Sequence, residues 1–268
     1  MYNGSPNLKG QEYLKNPFLL TLEARRPGYK YYEVLISIRN VVGALSAVTK
    51  KISEAEINIL AGMHKRIGDK GVWISFLEVP ESVSIEKMLE ELSSMEVIQE
   101  LRHHQMSRIE KFDEFLFPIY LFDTRMIILT DFMFNSLKKA LIDVFKSGGE
   151  TILYKQGETM GNGIIKAFEE IFKENVTAIE DIMHAIEDGF RSFGWGIIKF
   201  QELNPQAKTG SIIIWESMEY TESSKIKCHF LRGLITGMLR EMFNDEAIKI
   251  DEVKCKSEGA PYCEFQFV

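Results

Sequence analysis

Three cysteines, all within the last forty-one residues, constrain the fold of this chain more than any other feature. They are Cys228, Cys255 and Cys263 in a sequence of 268 residues. The first residues lack the charged-then-apolar order of a signal peptide, so we expect a cytoplasmic protein with reduced thiols. An odd number of cysteines also suits a disulfide framework poorly. Thiolates that a fold brings together are typical zinc ligands, and we expect the carboxyl-terminal segment to fold around these side chains.

The sequence around the cysteines predicts how they could meet. Cys255 and Cys263 flank "SEGAP" at equal distances from its glycine, which predicts a hairpin with facing thiols. Cys228 precedes a helix, whose N-terminus favours a thiolate. Glu252 completes a tetrahedral set if a bulge at Val253–Lys254 turns it to the face of Cys255. We expect a structural zinc here, while a Cys255–Cys263 disulfide and three unligated buried thiols remain open.

Glycines recur inside two segments of the second half of the chain. Gly233 and Gly237 lie in the helix "HFLRGLITGML", where each costs about 1 kcal/mol relative to alanine. We expect them to let this helix approach the sheet closely. Gly157, Gly161 and Gly163 in "GETMGNG" lack the Lys-Ser/Thr ending of a phosphate loop, so we interpret them as packing glycines in a turn between a short strand and a helix.

Residues 125–268 are similar to the four-vinyl-reductase domain and, through it, to TRAPP vesicle-tethering subunits. The resemblance rests on "LYKQGETMGNG", "GSIIIWESMEY", "CHFLRGLITGML" and "EVKCKSEGAPYCEF". In phenol- and xylene-sensing bacterial activators this domain binds a small aromatic effector and holds zinc through one Glu and three Cys, at positions that match Glu252, Cys228, Cys255 and Cys263 here. The resemblance implies a zinc site beside a buried ligand pocket. The ATPase and DNA-binding domains of those activators have no counterpart in this sequence.

Hydrophobic periodicity over residues 31–104 predicts the order β-α-β-β-α-β, which is the ferredoxin-like plan. With "IRNVVGALSAVTKKISEAEINIL" this stretch resembles an ACT domain, a dimerising module that binds small effectors. The resemblance implies an effector site at Asn40, Gly43, Leu45 and Asn58, although Asn40 replaces the more typical aspartate. A glycine at a helix start can present free amides to an anion; alternatively, Gly43 only fits a tight turn.

We therefore predict an α+β protein with two domains. The expected organisation is an N-terminal extension over 1–30, the ferredoxin-like ACT-like domain over 31–104, a linker over 105–124, and a mixed α/β four-vinyl-reductase-like domain over 125–268.

The second domain is rich in aromatic residues that could surround an apolar ligand. We expect ligand contacts from five of its side chains: His184, Trp195, Trp215, Met218 and Phe230. His184 lies among apolar neighbours in "IEDIMHAIEDGF", which indicates a buried imidazole or one that bonds a polar group of the ligand. No Ser or Cys stands at a spacing that suggests a nucleophile for catalysis.

Charge and composition narrow the classes of partner. The net charge of −7 argues against direct nucleic-acid binding, and no run of about 18 apolar residues predicts a membrane span. We interpret the chain as a ligand-sensing regulator that binds a small hydrophobic or aromatic molecule, forms a homodimer through its ACT-like module and acts on a regulatory protein partner. A reductase-like enzyme of tetrapyrrole or aromatic metabolism and a structural or tethering adaptor remain as alternatives.

Overall fold

The computed structural model describes residues 25–107, 112–121, 123–172, 178–221 and 226–268. The chain divides into two units, residues 1–127 and 128–268, and each has its own hydrophobic core. Most of the extension expected over 1–30 lies outside the described residues. Within them, no helix is long and apolar enough to cross a membrane.

The first unit has the order β-α-β-β-α-β that the hydrophobic pattern predicts. Its four strands form an antiparallel sheet in the order β2-β3-β1-β4, and a two-residue ladder of β5 and β6 follows. The elements are β1 (Tyr29–Arg39), α1 (Ala44–Glu54), β2 (Asn58–Ile67), β3 (Lys70–Pro80), α2 (Ile85–Ser93), β4 (Ile98–Gln105), β5 (Tyr120–Leu121) and β6 (Thr124–Arg125).

Strand β1 is buried on both faces of this sheet. Tyr32, Val34 and Ile36 belong to the core that includes α1 and α2, whereas Tyr31 and Leu35 belong to a smaller cluster with Phe115 and Leu116. Alternate residues of a strand point to opposite faces, so a continuous apolar run is required when both faces are covered. The sequence "YYEVLISI" meets this requirement.

The second unit combines four helices with a second antiparallel sheet of order β7-β8-β10-β9. Helices α4 and α6 pack together over the core of this unit. The elements are α3 (Asp131–Phe145), α4 (Ser147–Phe172), α5 (Ile179–Ser192), β7 (Ile197–Asn204), β8 (Thr209–Trp215), α6 (His229–Phe243), β9 (Ile250–Lys254), a 3-10 turn (Lys256–Glu258) and β10 (Cys263–Phe267).

Two boundaries in this unit differ from the sequence prediction. The segment 126–130, expected as a strand, carries no regular secondary structure. Helix α3 takes Thr130 as its N-cap, with the hydroxyl accepting from the Met133 amide, so Asp131 is the first helical residue rather than the cap. The helix ends at Phe145 rather than at Gly148, because α4 begins two residues later.

The predicted strand and glycine turn at 151–163 are wrong, because α4 continues through them without a break. Gly157 and Gly161 lie four residues apart on one face of α4, and a Cβ at these positions would collide with the backbone carbonyls of Phe230 and Leu234 in α6. The close approach of the two helices compensates for the low helix propensity of glycine.

The glycines of α6 make the reciprocal contact. A Cβ on Gly233 or Gly237 would collide with the carbonyl of Tyr154 or Glu158 in α4. The expectation that these glycines approach the sheet is therefore wrong, since they face a helix. Packing is nevertheless their role, as it is for Gly157 and Gly161.

Candidate metal centre

Three elements of the second unit bring the cysteine cluster together. Cys228 is the N-cap of α6, Cys255 follows the last residue of β9, and Cys263 begins β10. Glu252 lies in the middle of β9. The structure therefore joins all four residues that the sequence analysis singled out as a ligand set.

A bulge in the β9–β10 pair orients the carboxylate. Lys254 pairs with Glu264, but Glu252 pairs with Phe265, so Val253 is an extra residue in β9. An extra residue reverses the alternation of side chains, which brings Glu252 to the side of Cys255. The predicted bulge at Val253–Lys254 is confirmed.

The four candidate ligand atoms all lie within 4.8 Å of one another. The Sγ atoms of Cys228 and Cys263 are 3.5 Å apart, and tetrahedral sites with Zn–S bonds of about 2.3 Å place neighbouring sulfurs about 3.8 Å apart. The three cysteines are at most 2% exposed. All three thiols are free, so the alternative disulfide is not formed. This cluster of three thiols and one carboxylate could bind a metal ion.

Glu252 has the hydrogen bonding expected of a ligand held ready for a cation. Its Oε2 accepts a hydrogen bond of 3.2 Å from the amide of Cys228, whereas Oε1 is buried and has no hydrogen-bond partner within the described part of the chain. Burial, followed by contact with Cys255, raises the pKa of Glu252 to about 8. A buried acceptor without a donor is costly, and a metal ion would satisfy it.

The thiols shift one another's ionisation in opposite directions. Hydrogen bonding with Cys228 lowers the pKa of Cys255, and the same contact raises the pKa of Cys228. The amide of Lys256 donates to the sulfur of Cys263 at 3.4 Å. A bound cation replaces the remaining protons of such a cluster, so metal binding is coupled to proton release.

Glu219 is a buried residue next to this centre that sequence reasoning missed. It is 0% exposed, and its two carboxylate oxygens accept from the amides of Phe230 (3.1 Å) and Leu231 (2.8 Å) in the first turn of α6. Burial raises the pKa of Glu219 to about 7, opposed mainly by the charge of Lys138. Glu219 thereby caps the helix that presents Cys228, but no local spacing signals a cap that comes from a separate loop.

Lys138 is a second buried charge that the sequence did not reveal. It is 1% exposed and donates from Nζ to the backbone carbonyl of Glu219. Asn135, one turn earlier on α3, donates to the carbonyl of Met218 at 2.8 Å. These two contacts attach α3 to the loop that caps α6.

The side chains predicted to line a ligand pocket do not surround one cavity in the described residues. Trp195 lines an apolar crevice of about 220 Å³ between α4, α5 and α6. Phe230 is buried in the core edge-to-face with Phe134, and Trp215 contacts Tyr262. Met218 is partly buried against the same core. The remaining crevice residues are Ile164, Phe168, Ile186, Gly189, Phe190, Phe193 and Met238.

The prediction of a buried imidazole at His184 is wrong. Its side chain is 76% exposed and lies 3.9 Å from Glu187, because Ile186 and Phe190 define the buried side of α5 and His184 lies outside that stripe. His229, which adjoins a candidate ligand, is only 14% exposed and its Nε2 lies 3.7 Å from Glu150; burial lowers its pKa.

The residues expected to form an effector site in the first unit are not neighbours. Asn40 follows the end of β1, and Gly43 has a φ of 88° as the N-cap of α1, with the partly buried Leu45 in its first turn. Asn58 pairs in register with Glu78, which pairs with Tyr31 at the start of β1. The register therefore places Asn58 at the opposite end of the sheet from the other three.

Comparison with known protein families covers the region of the cluster. Residues 216–268 match the model of the four-vinyl-reductase (vinyl-4-reductase) domain. The chain carries this domain at its carboxyl terminus. All four cluster residues lie within the matched segment. A search of curated proteins finds no match to this sequence.

Several solved structures match the chain over part of its length. The phenol-responsive sensory domain of the transcription activator PoxR, determined with phenol, is 16% identical over 55% of this chain and 78% of its own, with a TM-score of 0.47. A trafficking protein particle complex subunit 3 from Naegleria fowleri, covalently bound to palmitic acid, is 17% identical over 51% and 90%, with a TM-score of 0.40. A vinyl-4-reductase family protein from Methanocaldococcus jannaschii is 22% identical over 53% and 83%, with a TM-score of 0.38.

Proposed function

We propose that this chain is a cytoplasmic ligand-sensing regulator whose second unit binds a small hydrophobic molecule and holds a structural zinc ion. The convergence of three thiols and a carboxylate inside a four-vinyl-reductase domain carries the proposal. Helix α6 contributes to both features, because Cys228 is its N-cap and Met238 lines the apolar crevice.

The donor set favours zinc over the other common divalent cations. Calcium and magnesium prefer oxygen ligands, whereas thiolates select zinc and other soft metals. Four protein ligands leave no open position, which is typical of a structural rather than a catalytic zinc. Such an ion would fix the start of α6 to the β9–β10 hairpin through bonds that the unfolded chain lacks.

The zinc site is tested by Glu252→Gln with Glu264→Gln as the matched control. Glu264 lies on the adjacent strand and pairs with Lys254 rather than with the cluster. We expect purified wild type and Glu264→Gln to contain stoichiometric zinc by mass spectrometry, and Glu252→Gln to bind it at least about 10-fold more weakly in chelator competition. Wild-type protein that takes up no zinc would contradict the proposal, as would equal affinity in the two variants.

The ligand site is proposed at the crevice lined by Trp195. Its lining is apolar, as in most small-molecule sites, and its present volume is below the roughly 300 Å³ of typical pockets, so a small apolar molecule fits it best. A Cβ on Gly189 would lie 3.7 Å from Phe168, at the wall of the crevice, whereas a Cβ on Gly163 would meet open space.

Gly189→Val should therefore fill the crevice, and Gly163→Val is its matched control in a helix. Calorimetric titration with toluene, phenol and palmitate should show binding of at least one probe by wild type and by Gly163→Val. We expect affinity at least about 10-fold lower in Gly189→Val. Absence of binding of every probe, or unchanged binding in Gly189→Val, would contradict this site.

We further infer that residues 31–104 form an ACT-like, ferredoxin-like domain that belongs to the regulatory function, with 105–124 as a linker and 125–268 as the four-vinyl-reductase-like domain. The β-α-β-β-α-β order and the sheet order β2-β3-β1-β4 support this assignment. The positive φ of Gly43 supports a glycine requirement at the start of α1. An effector would engage the end of the sheet that carries Asn40 and Gly43, and Asn58 would contact a different one.

A further inference from the structure

Helix α3 has its polar and apolar sides reversed relative to an ordinary surface helix. Its buried residues are Asn135 and Lys138, whereas large apolar side chains are exposed to solvent. Seven such residues between positions 128 and 145 are 40–75% exposed, namely Ile128, Leu129, Phe132, Met133, Leu137, Val144 and Phe145. An amphipathic helix normally buries its apolar face, so this reversal indicates a second interface.

The exposed face has the spacing of a helix-pairing seam. Met133, Leu137, Ala140 and Val144 are separated by four, three and four residues, and all four are exposed. This is the a/d spacing along which two helices interlock side chains. The small Ala140 near the centre permits close approach of a second helix.

We propose that this face binds the same face of a second copy of the chain, with the two α3 helices antiparallel. A twofold axis midway between Leu137 and Ala140 places each of these residues opposite the other in the second copy. The same register places Met133 opposite Val144, because the paired residue numbers have a constant sum.

The charges at the helix ends agree with this register. Asp131 in the first turn comes opposite Lys146 of the second copy, and both side chains are exposed. Antiparallel pairing also brings each helix N-terminus to the C-terminus of the other, where the helix dipoles attract. Phe132 comes opposite Phe145, so that two exposed aromatic rings at each end of the face would cover one another.

The extent of the face also suits a dimer. The largest apolar patch of a typical monomer covers about 300–600 Å², and a standard interface buries roughly 800 Å² on each partner. Seven large side chains that are mostly half-exposed or more form a patch comparable to the second value.

Sedimentation of the full-length chain over a concentration series tests the proposal. We expect a dimer for wild type and a dissociation constant at least about 100-fold higher for Val144→Glu, because a buried carboxylate would lack a partner. Val42→Glu, in the first unit, is the matched control, since Val42 is fully exposed but lies far from α3 in sequence. A monomeric wild type, or dimerisation that Val144→Glu leaves unchanged, would overturn the proposal.

Cross-linking tests the register. A chain with Met133→Cys and Val144→Cys should form disulfide-linked dimers under mild oxidation, because the two positions face each other between copies and lie about 16 Å apart along one helix. Met133→Cys alone should not cross-link. Efficient cross-linking by Met133→Cys alone would indicate parallel helices and overturn the antiparallel arrangement.

Discussion

Glu219 and Glu33 illustrate how single buried carboxylates organise the two units. Glu219 receives two amides of the first turn of α6, the helix that presents Cys228. Glu33 on β1 is 0% exposed and accepts from the amide of Glu114 at 3.2 and 3.1 Å. In both cases a carboxylate satisfies backbone donors of a separate segment, which fixes that segment to its unit.

Replacement of Glu219 by glutamine should destabilise the second unit. Glutamine has one acceptor oxygen, so at least one amide of Phe230 or Leu231 loses its partner, at a cost of about 1–3 kcal/mol. Chemical denaturation should show this loss in Glu219→Gln. Glu216→Gln serves as the control, because Glu216 is 59% exposed and pairs only with Lys256 among the described residues. Equal stability of the two variants would contradict the capping role.

Glu33 should make the stability of the first unit depend on pH. Burial raises the pKa of Glu33, opposed by its hydrogen bond from the Glu114 amide; nearby Asp113 also raises it and His104 lowers it. The folded state therefore binds the proton more tightly than the unfolded state. Stability is highest below the ordinary pKa of glutamate and falls as the pH rises through the raised value.

The measurement compares wild type with Glu33→Gln in a background where Trp73 is the only tryptophan. The free energy of unfolding of the wild type should fall more steeply than that of Glu33→Gln as the pH rises from acidic to neutral. The exposed Glu81 provides a control, Glu81→Gln, which should follow the wild type. Parallel curves for wild type and Glu33→Gln would contradict the prediction.

At the scale of elements, the pairing of α4 with α6 depends on glycine. Gly157 and Gly161 on α4 meet carbonyls of α6, and Gly233 and Gly237 on α6 meet carbonyls of α4. The absence of four side chains lets the two backbones touch, which positions the first turn of α6 over the sheet. The conformational cost of the glycines is offset by this contact.

Two alanine substitutions in α4 should have opposite effects. Gly161→Ala introduces a methyl group against the carbonyl of Leu234 and should reduce the unfolding free energy by at least about 2 kcal/mol. Gly163→Ala meets no atom within 4 Å and should increase it by about 0.5–1 kcal/mol, since alanine has the higher helix propensity. Thermal and denaturant unfolding measure both, and two changes of the same sign would contradict the packing.

At the scale of the whole molecule, the two units have separate cores. The core of the second unit is built from residues 153–267, and that of the first from residues 32–92 with a smaller cluster on the other face of its sheet. The candidate metal cluster belongs entirely to the second unit. Removal of a metal should therefore act on one unit.

Hydrogen exchange after treatment with a zinc chelator tests this separation. Amides of α6, β9 and β10 should exchange faster, because the ion would hold these elements together. Amides of β1 and β3 should keep their protection. Faster exchange in β1 and β3 as well would show that the units are coupled, and unchanged exchange in β9 would argue against a structural metal.

Local chemistry made much of this protein predictable from its sequence. Alternating apolar residues predicted the strands of the first unit, because period-two patterns fit only a sheet. The spacing of Cys255 and Cys263 about Gly259, and the parity of Glu252, predicted a hairpin with a bulge, since each depends on neighbours within a few residues. The segment that matches the four-vinyl-reductase domain contains the same residues.

Other features were decided only by the tertiary structure. Gly157 and Gly161 were interpreted as a turn, because their helical conformation is favourable only against α6. His184 was expected to be buried, although its place on α5 depends on which face packs. Glu219 and Lys138 gained their roles from segments distant in sequence. The sequence specified what local spacing and periodicity require, whereas packing between distant segments determined the continuity of α4, the capping of α6 and the outward apolar face of α3.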